Sequence, residues 1–459
     1  MQKFDAIVIG SGQGGNPLAK KMAEKGWKTA LIEQRQLGGT CINDGCTPTK
    51  TMIASARIAH LLSHSETWGI NNMGYTIDLP AIVGRKNKVV EQFRNGTAKS
   101  LEKAGVTIFY GTASFSGIKT ISVATNDDGN QELTAEHIFL NTGAAPYIPD
   151  IPGLRDVPYF TSTTLLDEVK VPPELIILGG SYIALEMGQL YRRLGSTVTV
   201  VEKSPQLMSK EDPDVAAVMK KILEAEDIQV FTATTTEKIS GSQDHIQVQV
   251  QTGGKSQTIT GTHLLVATGR LPQTAALQLR KTNVTLDEKG YVQVNDQLET
   301  SCPGIYALGD VKPGPAFTHI SYNDHLLLYK NLFEDAELSI KTRQLPYCMF
   351  TDPQLGRIGL SETRARQDGY PVKVAHLGMD KVARAIETGE TAGFMKAIVH
   401  EHTGQLLGAA VIGTEGGEIM SVLQMAMLGG ITATQLRDMI FAHPLYAESL
   451  NNLFMTLEK

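Results

Sequence analysis

An α/β protein with two Rossmann-like dinucleotide-binding domains and an α+β C-terminal domain is what this sequence predicts, on three observations. A strand, a glycine turn, a helix and a second strand closing on an acid occur at "DAIVIGSGQGGNPLAKKMAEKGWKTALIEQ" and again at "ELIILGGSYIALEMGQLYRRLGSTVTVVEK". Strands alternating with helices in this way build parallel sheets. The later stretch "GFMKAIVHEHTGQLLGAAVIG" reads instead as two strands around a turn, which suits an antiparallel sheet. A chain of 459 residues also exceeds what one hydrophobic core supports, so about three domains are expected.

The opening "FDAIVIGSGQGG" is short, lacks a cleavage-like site and runs into glycines, so it reads as a strand and not as a signal peptide. Composition agrees with an ordinary globular protein, 42% hydrophobic and 20% charged. The net charge of -6 and the lack of any basic run argue against nucleic-acid binding, and no apolar run of about 20 residues suggests a membrane span. The four cysteines, Cys41, Cys46, Cys302 and Cys348, are too few for a secreted disulfide framework. A cytoplasmic location is expected, and with it a catalytic role for any disulfide.

In the first fingerprint, Gly10, Gly12 and Gly15 form a GxGxxG turn and Glu33 ends the second strand. Glycines let the backbone approach a pyrophosphate, the helix N-terminus faces the phosphate charge, and the acid accepts hydrogen bonds from a ribose hydroxyl. In the second copy Gly179, Ser181 and Ala184 take the glycine positions, and Glu202 takes the acidic one at the same spacing. Two dinucleotide sites follow. Ser181 is the deviation, because a side chain there could crowd the pyrophosphate, although its hydroxyl could also donate to it. Glu202 pairs with a free 2'-hydroxyl and repels a 2'-phosphate, so NADH is expected over NADPH, with Lys203 as the counter-argument.

Between the two copies lies "GGTCINDGCTPTK", residues 38–50, which follows the strand ending at Glu33 and so leaves the carboxyl edge of the sheet, where α/β proteins bind ligands. Helical spacing begins just after it, with Met52, Ile53, Ala56 and Ala59 on one side. A cysteine at a helix N-terminus has a stabilised thiolate. A reactive dithiol is therefore expected at Cys41 and Cys46. Zinc would need about four ligands and finds no second CxxC or His pair nearby, and a staple this short would constrain little chain. Cys302 and Cys348 read as buried structural residues.

Seven motifs in order, "GSGQGG", "GGTCINDGCTPTK", "NTGAAPYIPDIPG", "GGSYIALE", "ATGRLP", "GIYALGD" and "AHPLYAE", carry a resemblance over essentially the full length. The chain resembles the class I pyridine nucleotide-disulfide oxidoreductases, the family of lipoamide dehydrogenase, glutathione reductase and mercuric reductase. The resemblance implies that Gly10, Gly12, Gly15 and Glu33 hold the ADP half of FAD, that Asp310 reaches the ribityl chain, and that the second fingerprint holds NAD(P)H. It also gives cofactor-binding positions to Gly39 and Thr40, to Thr142 and Gly143, and to Gly269 and Arg270. Cys46 matches the thiol that packs on the flavin as a charge-transfer thiolate, and Cys41 the interchange thiol that attacks substrate. Lys50 and Glu186 match the ion pair beside the reactive flavin nitrogen. Tyr182 matches the gate over the nicotinamide pocket, although from its position alone it reads as a helix-face packing residue. His443 with Glu448 forms an acid-base unit, which in the family comes from the partner subunit, so a homodimer is implied.

The implied domains are residues 1–148 for FAD, 149–270 for NAD(P), 271–342 completing the FAD domain, and 343–459 for dimerisation. The stretch "GCTPTKTMIASARIAHLL" looks most like the mercuric-reductase-like branch. Yet no cysteine follows Cys348 to hand over Hg(II), the sequence starts at the first strand, and the His443–Glu448 unit is present, so a disulfide or related acceptor is expected. Leu445 and Asp44 depart from the family pattern and bear on which acceptor it is. The alternatives are a mercuric reductase, a lipoamide dehydrogenase component of a larger complex, or an NADH oxidase that does not need the thiols.

Overall fold

A computed structural model of the chain describes residues 1–125 and 129–458. The first sheet is parallel at its centre, where strands Thr107–Gly117, Thr29–Glu33, Gln2–Ile9, Asn130–Leu140 and Ile305–Ala307 lie side by side in that order. Strand Thr120–Thr125 extends it as an antiparallel neighbour of both Thr107–Gly117 and Asn130–Leu140. The second half of the opening strand, Ala6–Ile9, is a continuous apolar run because it sits mid-sheet, covered on both faces. Ala6, Ile7 and Val8 are accordingly fully buried. Helix Gly15–Glu24 sets Leu18, Ala19 and Met22 into the same core, the two larger side chains contributing about 2 kcal/mol each.

The second parallel sheet has strands His263–Val266, Glu174–Leu178, Thr197–Val201 and Gln229–Phe231. A three-stranded antiparallel sheet, Thr234–Ser242, His245–Thr252 and Lys255–Gly261, follows it in sequence. The two passages of chain between the parallel sheets, Ala144–Pro146 and Arg270–Pro272, pair with each other. Thereafter Ile305–Ala307 returns to the first sheet beside Asn130–Leu140, so both parallel sheets flank one crossing point.

The C-terminal sheet is antiparallel, in the order Tyr347–Met349, Gln354–Gly359, Leu406–Gly413, Phe394–His400 and Val372–Gly378. Its hairpin Phe394–His400/Leu406–Gly413 is the one expected around "HEHTGQ". A buried charge cluster ties this sheet to the second one. Lys396, 2% exposed, reaches Asp212 at 3.2 Å, Asp214 at 2.8 Å and Glu362 at 2.8 Å, and Arg357 reaches Glu211 at 3.2 Å. Glu211 also accepts a hydrogen bond from the Tyr347 hydroxyl. Among the described residues no helix is long and apolar enough to cross a membrane.

Candidate active site

The first glycine turn is shaped by Asn141, which the sequence reading passed over. Its Oδ1 accepts from the Gly15 N–H at 2.9 Å, while its Nδ2 donates to the Leu308 carbonyl at 2.8 Å. Gly10 has φ +99°, and a Cβ there would lie 2.3 Å from the Asn141 carbonyl oxygen, so only glycine fits. Glu33 ends its strand 8% exposed, its Oε2 accepting from the Ser11 N–H at 3.0 Å and the Ser11 hydroxyl at 2.6 Å. A cavity of about 840 Å³ runs from here, past Gly39, Thr40, Thr142, Gly143 and Asp310, to Cys41, Cys46 and Lys50. Burial pushes the Asp310 carboxyl up from its ordinary value.

Cys41 lies in the short helix Gly39–Asn43, and Cys46 is the first residue of helix Cys46–Ser63, which starts two residues before Pro48. Of the expected apolar side, Met52, Ala56 and Ala59 are buried and Ile53 is half-buried. Both cysteines are free thiols in the structure. The two sulfurs differ in charge preference. Cys46 is drawn down to about 6, first by its hydrogen bond with Cys41 and then, against the opposing effect of burial, by the Thr318 hydroxyl and the Lys50 ammonium. Cys41 is pushed up by the same bond and by burial. Asp44, the charge between them, pairs with Arg35 at 2.6 Å, and both line the cavity.

Four positions further along the Cys46 helix, the Lys50 Nζ meets the Glu186 Oε2 at 2.5 Å. Glu186 is nearly buried, and its other oxygen accepts from the Phe350 N–H at 2.9 Å. Tyr182 opens helix Tyr182–Arg193 and lines the cavity, its hydroxyl pushed up to about 12 by burial. Its ring stands 5.6 Å from Phe317, which itself stacks on Tyr347 at 5.5 Å and on His319 at 5.4 Å. These aromatics were not legible as a group because they come from three distant segments.

The second fingerprint forms the turn its spacing predicts. Gly179 has φ +110°, and a Cβ there would lie 2.5 Å from the Ala267 carbonyl oxygen. Ala184 is buried, whereas the Ser181 side chain is exposed and makes no cap bond. Glu202 follows strand Thr197–Val201, its Oε1 accepting from the Ser204 N–H at 2.6 Å, and Gly269 has φ +134°. Arg270 donates to the Ala144 carbonyl and lines the cavity.

His443 and Glu448 do meet, at 3.0 Å, but the pair is absent from the cavity lining and the histidine side chain is 69% exposed. Cys302 is 3% exposed, as expected. Cys348 is not the buried residue expected of it. It is half-buried and lines the same cavity as the cysteine pair, its thiol pushed up to about 12 by burial.

The glycine cradle, the acid at its rim and the continuous cavity to the dithiol fit FAD. Residues 4–324 match the family described as pyridine nucleotide-disulphide oxidoreductase, and residues 345–454 match its dimerisation domain. Similar proteins include the probable pyridine nucleotide-disulfide oxidoreductase RclA of Escherichia coli (strain K12), 35% identical over 99% of both chains. A mercuric reductase of Bacillus cereus is 34% identical over 99% of this chain and 72% of its own. A dihydrolipoyl dehydrogenase of Thermus scotoductus is 34% identical over 100% of this chain and 98% of its own. The solved Cu(II) complex of the HOCl-induced flavoprotein disulfide reductase RclA from Escherichia coli superposes with a TM-score of 0.90, at 34% identity over 99% of each chain. The chain therefore belongs to the pyridine nucleotide-disulphide oxidoreductases and is an FAD-dependent NAD(P)H-disulfide oxidoreductase.

Proposed function

We propose that the enzyme takes electrons from NADH and delivers them through the Cys41–Cys46 pair to a small-molecule disulfide. The observation that carries this reading is the placement of the pair: Cys41 and Cys46 line the cavity that fits FAD, together with the Lys50–Glu186 ion pair. FAD, when bound, supplies the two-electron link between the nicotinamide and the disulfide. Gly10, Gly12, Gly15 and Glu33 hold its ADP half, Gly39, Thr40, Thr142 and Gly143 line its path, and Asp310 faces its ribityl chain. Gly179, Ser181, Glu202, Gly269 and Arg270 would receive the nicotinamide cofactor, and Tyr182, on the cavity wall, would gate its pocket. Lys50, fixed by Glu186, places a positive charge beside Cys46.

In the second half-reaction His443 takes the proton of the neutral Cys41 thiol as the Cys41 sulfur attacks the acceptor disulfide. One Cys41–substrate bond forms as the acceptor S–S bond breaks, and the departing sulfur takes a proton from His443. The Cys46 thiolate then attacks Cys41, closing the Cys41–Cys46 disulfide and expelling the second substrate sulfur as a thiolate, which takes its proton from solvent. His443 comes from a second copy of the chain, a reading supported by its exposure and by the apolar outer surface of the dimerisation domain. There Met425 is 73%, Leu428 79%, Ile440 94% and Leu445 52% exposed. Four cysteines and a redox-active pair fit a reducing, cytoplasmic compartment.

A second reading takes a soft or redox-active metal ion, Hg(II) or Cu(II), as the acceptor. Cys348 favours it, because it puts a third thiol on the cavity wall. A turnover screen of low-molecular-weight disulfides, Hg(II) and Cu(II), with wild type and Cys41→Ser, separates the readings. The proposal expects disulfide turnover that Cys41→Ser abolishes, and NADH preferred by about tenfold in kcat/KM, or about 1.4 kcal/mol. Disulfide turnover at the wild-type rate in Cys41→Ser would remove the dithiol from the mechanism. Equal use of NADPH would remove Glu202 as the selector.

A further inference from the structure

Tyr347 and Arg357 stand opposite each other on strands Tyr347–Met349 and Gln354–Gly359, and both reach one carboxylate of the nicotinamide domain. The Tyr347 hydroxyl donates to the Glu211 Oε1, and the Arg357 Nε donates to the Glu211 Oε2 at 3.2 Å. Glu211 is 9% exposed and lies in the loop that runs from Glu202 to helix Pro213–Ala225. Its N–H donates to the Met208 carbonyl at 2.8 Å, and the Met208 N–H donates to the Gly180 carbonyl at 2.9 Å, inside the second glycine turn. The carboxylate is thus held at a fixed place, and the outer end of the Tyr347 ring is tied to it.

The face of that ring turns to the cavity. Phe317, the residue before helix Thr318–Phe333, lies 10° from parallel to Tyr347, with 5.5 Å between centroids. Tyr182 leans on the same Phe317 ring at 44° and 5.6 Å. All three rings line the cavity. Where Tyr182 gates the pocket, a nicotinamide enters only as Tyr182 leaves Phe317, so whatever holds Phe317 in place sets what that departure costs. Stacked rings slide past one another easily, and the bond to Glu211 removes that freedom from Tyr347. An aromatic pair of this kind shifts an equilibrium by about two- to tenfold.

We propose that Tyr347 is a positioning residue for the nicotinamide gate: anchored by Glu211, it backs the Phe317 ring against which Tyr182 rests and so sets how much of the enzyme stands with the gate closed. The inference rests on the reading of Tyr182 as the gate. Glu211 also belongs to the buried cluster that ties the C-terminal sheet to the second parallel sheet, so the same bond holds domains together. The two roles separate in NADH binding, because a bond that only ties domains leaves the closed gate as stable as before.

The test mixes flavin-loaded protein rapidly with NADH and reads the apparent Kd and the limiting rate of flavin reduction. Tyr347→Phe keeps the ring and loses the anchor. It should tighten the apparent Kd for NADH by about two- to tenfold, the change falling on Kd and not on the limiting rate. Phe317→Leu, which leaves the Glu211 bond in place, should tighten it in the same range and decides the matter if Tyr347→Phe fails to hold flavin. Added to Tyr182→Ala, Tyr347→Phe should change nothing further, because residues that act through one ring are not additive. A Tyr182→Ala effect on Kd that neither Tyr347→Phe nor Phe317→Leu reproduces overturns the Tyr347 assignment alone, and so does a Tyr347→Phe effect that adds to it in full. Tyr182→Ala protein that binds and oxidises NADH as wild type does overturns the gate reading itself.

Discussion

His325 makes the stability of the Thr318 helix depend on pH, and the size of the effect follows from its surroundings. The imidazole is fully buried, and neither ring nitrogen has a hydrogen-bond partner among the described residues. The Tyr322 ring meets it edge-on at 4.4 Å. Burial is the main force holding its pKa down to about 4, helped by the Lys21 ammonium across the helix pair and opposed by the Tyr322 backbone and the neighbouring Asp324. An unfolded histidine titrates near 6.5. Between those two values the unfolded chain binds a proton that the folded chain refuses, so stability is complete above about pH 6.5 and falls as the pH drops toward 4. The gap corresponds to roughly 3 kcal/mol at full protonation of the unfolded state. Replacing His325 by leucine removes the titrating group and abolishes this dependence. Urea denaturation of wild type and His325→Leu from pH 7.5 to 4 should give curves that agree at the alkaline end and diverge by about 3 kcal/mol at the acid end. Flavin fluorescence should report earlier cofactor release from wild type, because the adjacent Asp324 holds the Gly309 N–H at 2.8 Å and with it the turn bearing Asp310. Parallel pH curves for the two proteins would refute the account.

His443→Gln should slow disulfide turnover by roughly 100-fold or more while leaving reduction of the enzyme by NADH unchanged in rapid mixing. An equal loss in both half-reactions would place the histidine elsewhere in the cycle. Asn141→Ala removes the acceptor for the Gly15 N–H and two donor contacts, to Leu308 and Ser321. It should weaken FAD retention and lower folding stability by about 1–3 kcal/mol, the cost of leaving buried backbone groups unpaired. Unchanged flavin content after gel filtration would show that the glycine turn stands without it.

Local pattern carried most of the architecture. Apolar runs bounded by glycine turns revealed both parallel sheets, because each strand–turn–helix unit is specified by neighbours in the chain. The hairpin in the last domain was legible for the same reason, and so was a helix beginning at the cysteine pair. Glu33 and Glu202 could be placed because the end of a strand fixes where an acid stands relative to the glycine turn. His443 and Glu448 were readable as a pair because five residues of chain bring them to 3.0 Å.

What the sequence determined by itself is therefore whatever depends on contacts close in the chain: the two glycine turns, the cysteine pair at a helix start and the contact of His443 with Glu448. Only the tertiary structure decided how these parts condition one another. Thr318 lies 272 positions from the sulfur it touches, and Asn141 lies 126 from the glycine it holds. Asp44 stood alone in the sequence until the fold paired it with Arg35, and Cys348 looked inert until the fold placed it on the cavity wall. The physical reason is that hydrogen-bond geometry and the field at a sulfur depend on distance in space, and spatial neighbours from distant segments leave no periodicity in the chain to read.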